Sequence, residues 1–282
     1  MIQVGGFGIM TLASLVGLLI SRRLGLRSRL IAAAETKHIG LGDVNRVIVG
    51  VIKVSLLFEA ITAALLTARF ALGYDPGIRA PIELGVFHAI SAFNNAGFAL
   101  FSDNLIGFAA DPWICLPIAA AVTLGGIGFP VLFELRRQLL GPRQWSLHTK
   151  LTLGMTVLLL VSSTVFFLLA EWGNPGTLGK LDANDRFLSA FFNATMPRKA
   201  GFNSLDPGQL EPGTLLGSDV VMFIGGGSAG TAGGIKVTTF VLLLFVIWAE
   251  VRGEPEVRVL DRRIEPRVWR QALPWRCSRW PR

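Results

Sequence analysis

The sequence predicts an all-α polytopic membrane protein made of repeated helix, half-helix, helix units, with a broken final helix. Three observations carry this: apolar runs long enough to cross a bilayer, basic and acidic connections that alternate, and a recurring order of long and short apolar segments. Of the 282 residues, 51% are hydrophobic and 16% charged, and the mean hydropathy is +0.54. A membrane-crossing helix needs about 20 apolar residues. Runs of that length stand at Met1–Ser21, Val47–Leu72, Trp113–Leu135, Leu151–Trp172 and Leu215–Ala249. Soluble core helices are shorter, so the soluble class is excluded.

The formal net charge of +8 does not indicate a nucleic-acid partner. Such proteins gather their basic residues on a folded polar face with aromatic stacking partners, whereas here the basic residues lie between spans. Arg22, Arg23, Arg27, Arg29, Lys37 and Arg46 follow the first span, Arg136, Arg137, Arg143 and Lys150 the third, and nine arginines from Arg252 to Arg282 the last. The acids concentrate in the other connections: Asp75, Glu83, Asp103 and Asp111, then Glu171, Asp182, Asp185, Asp206, Glu211 and Asp219. The positive-inside rule places the basic connections in the cytoplasm and the acidic ones outside, giving a multi-pass protein of the cell membrane in contact with lipid. Cys115 within a span and Cys277 in the basic tail form neither a disulfide framework nor a zinc pattern.

The chain repeats itself. Val47–Leu72 is followed by the short apolar stretch Leu84–Phe93, then Asn94-Asn95-Ala96-Gly97-Phe98, then a long span containing Gly125-Gly126-Ile127-Gly128. Leu151–Trp172 is followed by the short stretch Phe187–Ala194, then Arg198-Lys199-Ala200-Gly201-Phe202-Asn203, then the last span with Gly225-Gly226-Gly227 and Gly233-Gly234. The opening Gln3–Met10 matches the second long helix of such a unit, with Gly5-Gly6 in the place of Gly125-Gly126. A stretch of about ten residues cannot cross a bilayer, and irregular backbone at membrane depth persists only inside protein or against water. Such a half-helix, entering from outside and returning through Ala-Gly-Phe, turns its C-terminal carbonyls toward the membrane centre and makes a cation site. Each unit is thus helix, pore loop, helix.

These motifs, with Gly225–Thr239, resemble the membrane subunits of the Trk/Ktr/HKT superfamily of potassium transporters, the TrkH/KtrB-like chains, from Met1 to about Arg270. The resemblance implies a K+ selectivity filter made of Asn95, Ala96, Gly97 and Phe98 in the second unit and Lys199, Ala200, Gly201 and Phe202 in the third. Carbonyls of Asn95, Ala96, Lys199 and Ala200 would coordinate the ion. It implies an intramembrane gate loop at 225–236: Gly225, Gly226, Gly227, Ser228, Gly230, Thr231, Gly233, Gly234 and Lys236. Six glycines within ten residues, each costing about 1 kcal/mol in a helix interior, also favour a break there. Lys236 is expected to be held by carbonyls or water, or to snorkel.

In these terms residues 1–23 are the second helix of a first unit, 47–137 the second unit and 151–250 the third. The stretches 24–46, 138–150 and 251–282 are cytoplasmic. The chain is expected to be truncated at both ends, lacking the first filter segment and the fourth unit. The family usually carries a small hydroxyl residue where Lys199 stands, and an ammonium there repels a permeating cation unless it points to solvent. The resemblance further implies a homodimer, a cytoplasmic nucleotide-binding regulatory subunit, K+ as permeant ion, no covalently bound cofactor and no enzymatic activity.

Two other classes have a foothold. Gly226-Gly227-Ser228-Ala229-Gly230 satisfies the nucleophile-elbow pattern of serine hydrolases, although such a serine needs a base and the histidines are His38, His88 and His148. A proton- or sodium-coupled carrier needs ionisable residues within spans. Lys53 and Glu59, six apart and on opposite helix faces, are the candidates.

Overall fold

The structure, a computed structural model, describes residues 1–23, 41–74, 79–138, 141–252, 258–259 and 262–263. Most of the predicted 24–46 connection, including His38, and most of the basic tail, including Cys277, lie outside the described residues.

Among the described residues the fold is nearly all helical, in nine α-helices. They are α1 Ile2–Arg23, α2 Leu41–Gly73, α3 Arg79–Phe93, α4 Pro112–Ile127, α5 Phe129–Gln138, α6 Leu147–Glu171, α7 Ala183–Thr195, α8 Pro212–Phe223 and α9 Val237–Val251. Arg258–Val259 and Arg262–Arg263 form one short antiparallel pair, which the sequence did not announce.

Ile48–Gly73 and Leu147–Glu171 are long and apolar enough to cross a membrane. Only 17% of the most apolar window of α6 is buried, and Val157, Leu158, Val161, Val165 and Leu169 point outward. An apolar face of that extent marks a membrane-facing or protein-facing surface. The short helices α3 and α7, with 15 and 13 residues, run longer than the expected Leu84–Phe93 and Phe187–Ala194. At 1.5 Å per residue they still extend only about 20 Å, short of the roughly 30 Å hydrocarbon core.

Two of the expected long spans are broken. The last divides at 224–236 into α8 and α9. The span expected at Trp113–Leu135 is bent by 101° between α4 and α5. The bend has a local cause. Gly128 sits at φ 98°, and Pro130 lacks the amide that would close the helical bond to the Gly126 carbonyl. That carbonyl accepts instead from the Gly227 amide at 2.8 Å.

Helix α3 packs between α2 and α4, α7 packs on α6, and α4 touches α7, joining the two halves. The central core lies at that junction, with Leu66, Phe70, Ile114, Ile118, Val122, Phe192, Met196 and Phe202. A second core holds Met10 of α1 against Val51, Val54, Phe93 and Phe129. On the α2–α4 side the Arg69 guanidinium pairs with Asp111 at 2.8 Å, the Tyr74 hydroxyl donates to the same carboxylate, and Asp111 caps α4 through the Trp113 amide. At the far end of the bend Glu134 of α5 accepts from the Ser146 and Thr149 hydroxyls at the start of α6 (2.7 and 2.6 Å). The bent pair is therefore clamped at both ends.

Candidate functional site

Each half-helix ends in the same manner. After α3 the amides of Asn94, Asn95 and Ala96 donate back to the carbonyls of Ile90, Ala92 and Ser91. After α7 the amides of Lys199, Ala200 and Gly201 all donate to the Met196 carbonyl at 3.0 Å. The N–H groups are thus turned into the helix ends. The carbonyls of Asn95, Ala96, Lys199 and Ala200 accept no backbone hydrogen bond among the described residues. Positive φ at Asn95 (54°), Gly97 (73°) and Gly201 (82°) makes these turns, a region that glycine enters freely and other residues only with strain.

The two segments meet. A Cβ placed on Gly97 would lie 1.8 Å from the Ala200 carbonyl oxygen, so only a glycine lets that carbonyl approach. Gly201 faces open space on the corresponding side. The two phenylalanines differ likewise: Phe98 is 62% exposed, whereas Phe202 is 2% exposed and sits in the central core.

The loop 224–236 lies against these segments through α4. It closes on itself, with the Gly225 amide donating to Ile235 O, Ile235 to Phe223 O and Val237 to Gly226 O, each at 3.0 Å. The Gly227 and Thr231 amides donate to the carbonyls of Gly126 and Gly125, which α4 leaves free at its end. Gly226 and Gly227 bring the loop so close that a Cβ on either would collide with the Gly126 or Ile127 carbonyl, at 2.3 and 1.8 Å.

The Thr231 hydroxyl is hydrogen-bonded to the Asn95 carboxamide and lies 3.2 Å from the Phe93 carbonyl. In the orientation that satisfies both its ends, that carboxamide also donates to Val122 O (3.1 Å) and accepts from the Gly126 amide (3.2 Å). The Lys236 ammonium donates to the Ala232 carbonyl at 2.7 Å, within the loop.

The sequence leaves the orientation of Lys199 open, and the structure turns it inward. Its side chain does not reach solvent: the residue is 9% exposed, its aliphatic stem crosses Gly126, and its ammonium lies 3.5 Å from the Thr123 carbonyl. The bare face of Gly126 provides the room for it. Arg198 beside it is buried too, with Nη1 3.5 Å from the Thr156 carbonyl, a second interior cation that the sequence did not single out.

The competing classes find no geometry. The Ser228 hydroxyl bonds the Thr238 hydroxyl at 3.2 Å, and His88 is engaged by the Leu84 carbonyl and the Leu100 amide, so among the described residues no histidine hydrogen-bonds Ser228. Lys53 is exposed, while Glu59 is buried and accepts from Gln3 and Asn94. They are not a coupled pair, and Glu59 makes interhelical polar contacts.

A family model described as TrkH, cation transport protein, matches residues 1–273. The chain is 40% identical over 277 residues to the Ktr system potassium uptake protein B of Bacillus subtilis, covering 97% of this chain and 61% of that protein. It is 37% identical over 267 residues to the protein of the same description from Vibrio alginolyticus (94% and 58%). It is 30% identical over 278 residues to the potassium/sodium uptake protein NtpJ of Enterococcus hirae (97% and 60%). The chain therefore spans about three fifths of the length of these relatives. In fold it resembles the crystal structure of the potassium transporter TrkH from Vibrio parahaemolyticus, with a TM-score of 0.72 at 18% identity, covering 96% of this chain and 53% of that one. By the match of its sequence from end to end of the helical region, the chain belongs to the TrkH family of cation transport proteins, a family of membrane transporters and not of enzymes.

Proposed function

We propose that this chain lines a K+ permeation path across the cell membrane and does no covalent chemistry. The observation that carries the proposal is the meeting of the two half-helix ends at Gly97 and Ala200. Their amides are bonded backward, which leaves consecutive carbonyls free to replace an ion's hydration shell. In this reading Asn95, Ala96, Gly97 and Phe98 are one filter segment and Lys199, Ala200, Gly201 and Phe202 another. Loop 225–236, which is hydrogen-bonded to the first segment through Thr231, is the gate. Residues 1–23, 47–137 and 151–250 belong to three successive units of the pore. The basic stretches 24–46, 138–150 and 251–282 face the cytoplasm, where they meet a nucleotide-binding regulatory subunit, and the working assembly is a homodimer. The names of the relatives support K+ as the permeant ion.

The test is K+ uptake, and growth at limiting K+, in a bacterium lacking its own K+ uptake systems. This chain is compared with a chimera in which its sequence replaces the matching stretch of the Bacillus subtilis relative, each with and without Gly97→Ser and Gly201→Ser. Rescue that the glycine substitutions abolish, or open to Na+, supports the filter. Rescue indifferent to both substitutions, or a chimera that never rescues, refutes it.

A further inference from the structure

Glu59 lies within the 26-residue apolar stretch Ile48–Gly73 of α2 and is 5% exposed. A carboxylate at that depth is costly unless it is hydrogen-bonded, and it has two donors from distant parts of the chain. Gln3 Nε2 of α1 donates to Oε2 at 2.8 Å, and Asn94 Nδ2, at the end of α3, donates to Oε1 at 3.0 Å. The same Asn94 amide lies 3.1 Å from Gln3 Oε1 and 2.9 Å from the Ile90 carbonyl. Helix α1 is shaped to admit it: a Cβ on Gly6 would lie 1.8 Å from Asn94 Oδ1. Beside the cluster the rings of Phe58 and Phe93 stack at 6.1 Å.

Both donors are neutral amides. Lys53 is exposed, and the ion pair found among the described residues, Arg69–Asp111, is elsewhere. A glutamine would turn one of these two acceptor oxygens into an NH2 donor facing a donor, so the glutamate supplies both the second acceptor and a charge. That charge is linked through Asn94 to the adjoining Asn95 and Ala96, whose carbonyls have no backbone partner among the described residues.

We propose that Glu59 is a positioning residue for the Asn95-Ala96-Gly97 segment: it acts through Asn94 to hold the turn at Asn95, and its negative charge raises cation occupancy at the Asn95 and Ala96 carbonyls. This rests on the filter reading of those carbonyls. In water-poor surroundings a charge acts over several ångströms, whereas a purely structural hydrogen-bond acceptor contributes only shape.

The experiment measures the half-saturating K+ concentration and the maximal uptake rate, at matched membrane abundance, for Glu59→Gln, Glu59→Asp, Asn94→Ala and Gly97→Ser, in the full chain and in the chimera. Glu59→Gln is expected to raise the half-saturating K+ about fivefold, more than it lowers the maximal rate. Glu59→Asp should recover part of that shift, and Asn94→Ala should admit more Na+. If Glu59→Gln changes only abundance, or leaves half-saturation unmoved while Gly97→Ser alters selectivity, the role of Glu59 is overturned and the filter stands. If Gly97→Ser also has no effect, or nothing is taken up, the filter reading itself falls and this inference with it.

Discussion

Asn95 and Thr231 are hydrogen-bonded side chain to side chain across 136 positions of sequence, and the same threonine hydroxyl lies 3.2 Å from the carbonyl of Phe93. The loop 224–236 is therefore latched to the residues that follow α3 and does not merely lie near them. A loop built from glycines has little side-chain packing to hold it, so its few hydrogen bonds decide where it rests.

Removing that hydroxyl should loosen the loop. Thr231→Val keeps the volume and leaves the Asn95 carboxamide short of a partner, at a cost of about 1–2 kcal/mol. A cysteine introduced at Ser228 should then react with a water-soluble thiol reagent roughly tenfold faster in the Thr231→Val background, since 1.4 kcal/mol is a factor of ten in the open population. Equal labelling rates in the two backgrounds would show that Thr231 is no latch.

The two Ala-Gly-Phe glycines should respond differently to alanine. Gly97→Ala combines strained φ with a collision against backbone, the Ala200 carbonyl at 1.8 Å. Gly201→Ala meets nothing within 4 Å and carries only the strain, about 1–2 kcal/mol. The thermal midpoint of the purified protein should therefore fall clearly further for Gly97→Ala. Equal falls would contradict the approach of the two segments.

Much of this arrangement was legible in the sequence because it depends on lengths and on breakers. The stretches before Asn94 and before Thr195 are too short to cross a bilayer, and the final apolar run is too long and too rich in glycine to stay one helix. The bend at Gly128 was missed because glycines in a long apolar run are unremarkable to a hydropathy count. Its signal was Pro130, which deprives the Gly126 carbonyl of its helical donor. The partners of Glu59 lie 56 and 35 positions away, and no local pattern announces them. The orientation of the Lys199 side chain was not legible in the sequence. Its burial depends on the missing side chain of Gly126, which belongs to another helix.

That burial makes Lys199 testable. With Arg198 it places two cations beside carbonyls proposed to hold a third. Replacing it with threonine, the small hydroxyl type, removes a repulsion of about 1–2 kcal/mol at an effective dielectric near 20. Lys199→Thr should lower the half-saturating K+ by roughly tenfold, and Lys199→Met, which keeps the stem over Gly126, should do nearly as much. If only threonine has the effect, its hydroxyl and not the lost charge is responsible.

The bend between α4 and α5 is set by Gly128, and it is where the loop 224–236 is most closely confined. A Cβ at Gly128 would stand 2.2 Å from the Ser228 carbonyl and 3.2 Å from the Gly230 amide, while φ 98° resists any side chain. Gly128→Ala should cost about 2–4 kcal/mol, from strain plus overpacking, and it can be relieved only by moving the loop, because α5 is held at its other end by Glu134 on Ser146 and Thr149. Releasing that clamp gives the helix somewhere to go. Glu134→Ala alone should destabilise modestly, and in combination with Gly128→Ala the loss should be less than the sum, since each single change strains what the other frees. Thermal unfolding of the four proteins measures the coupling directly, and strict additivity would mean that the bend and the clamp are independent.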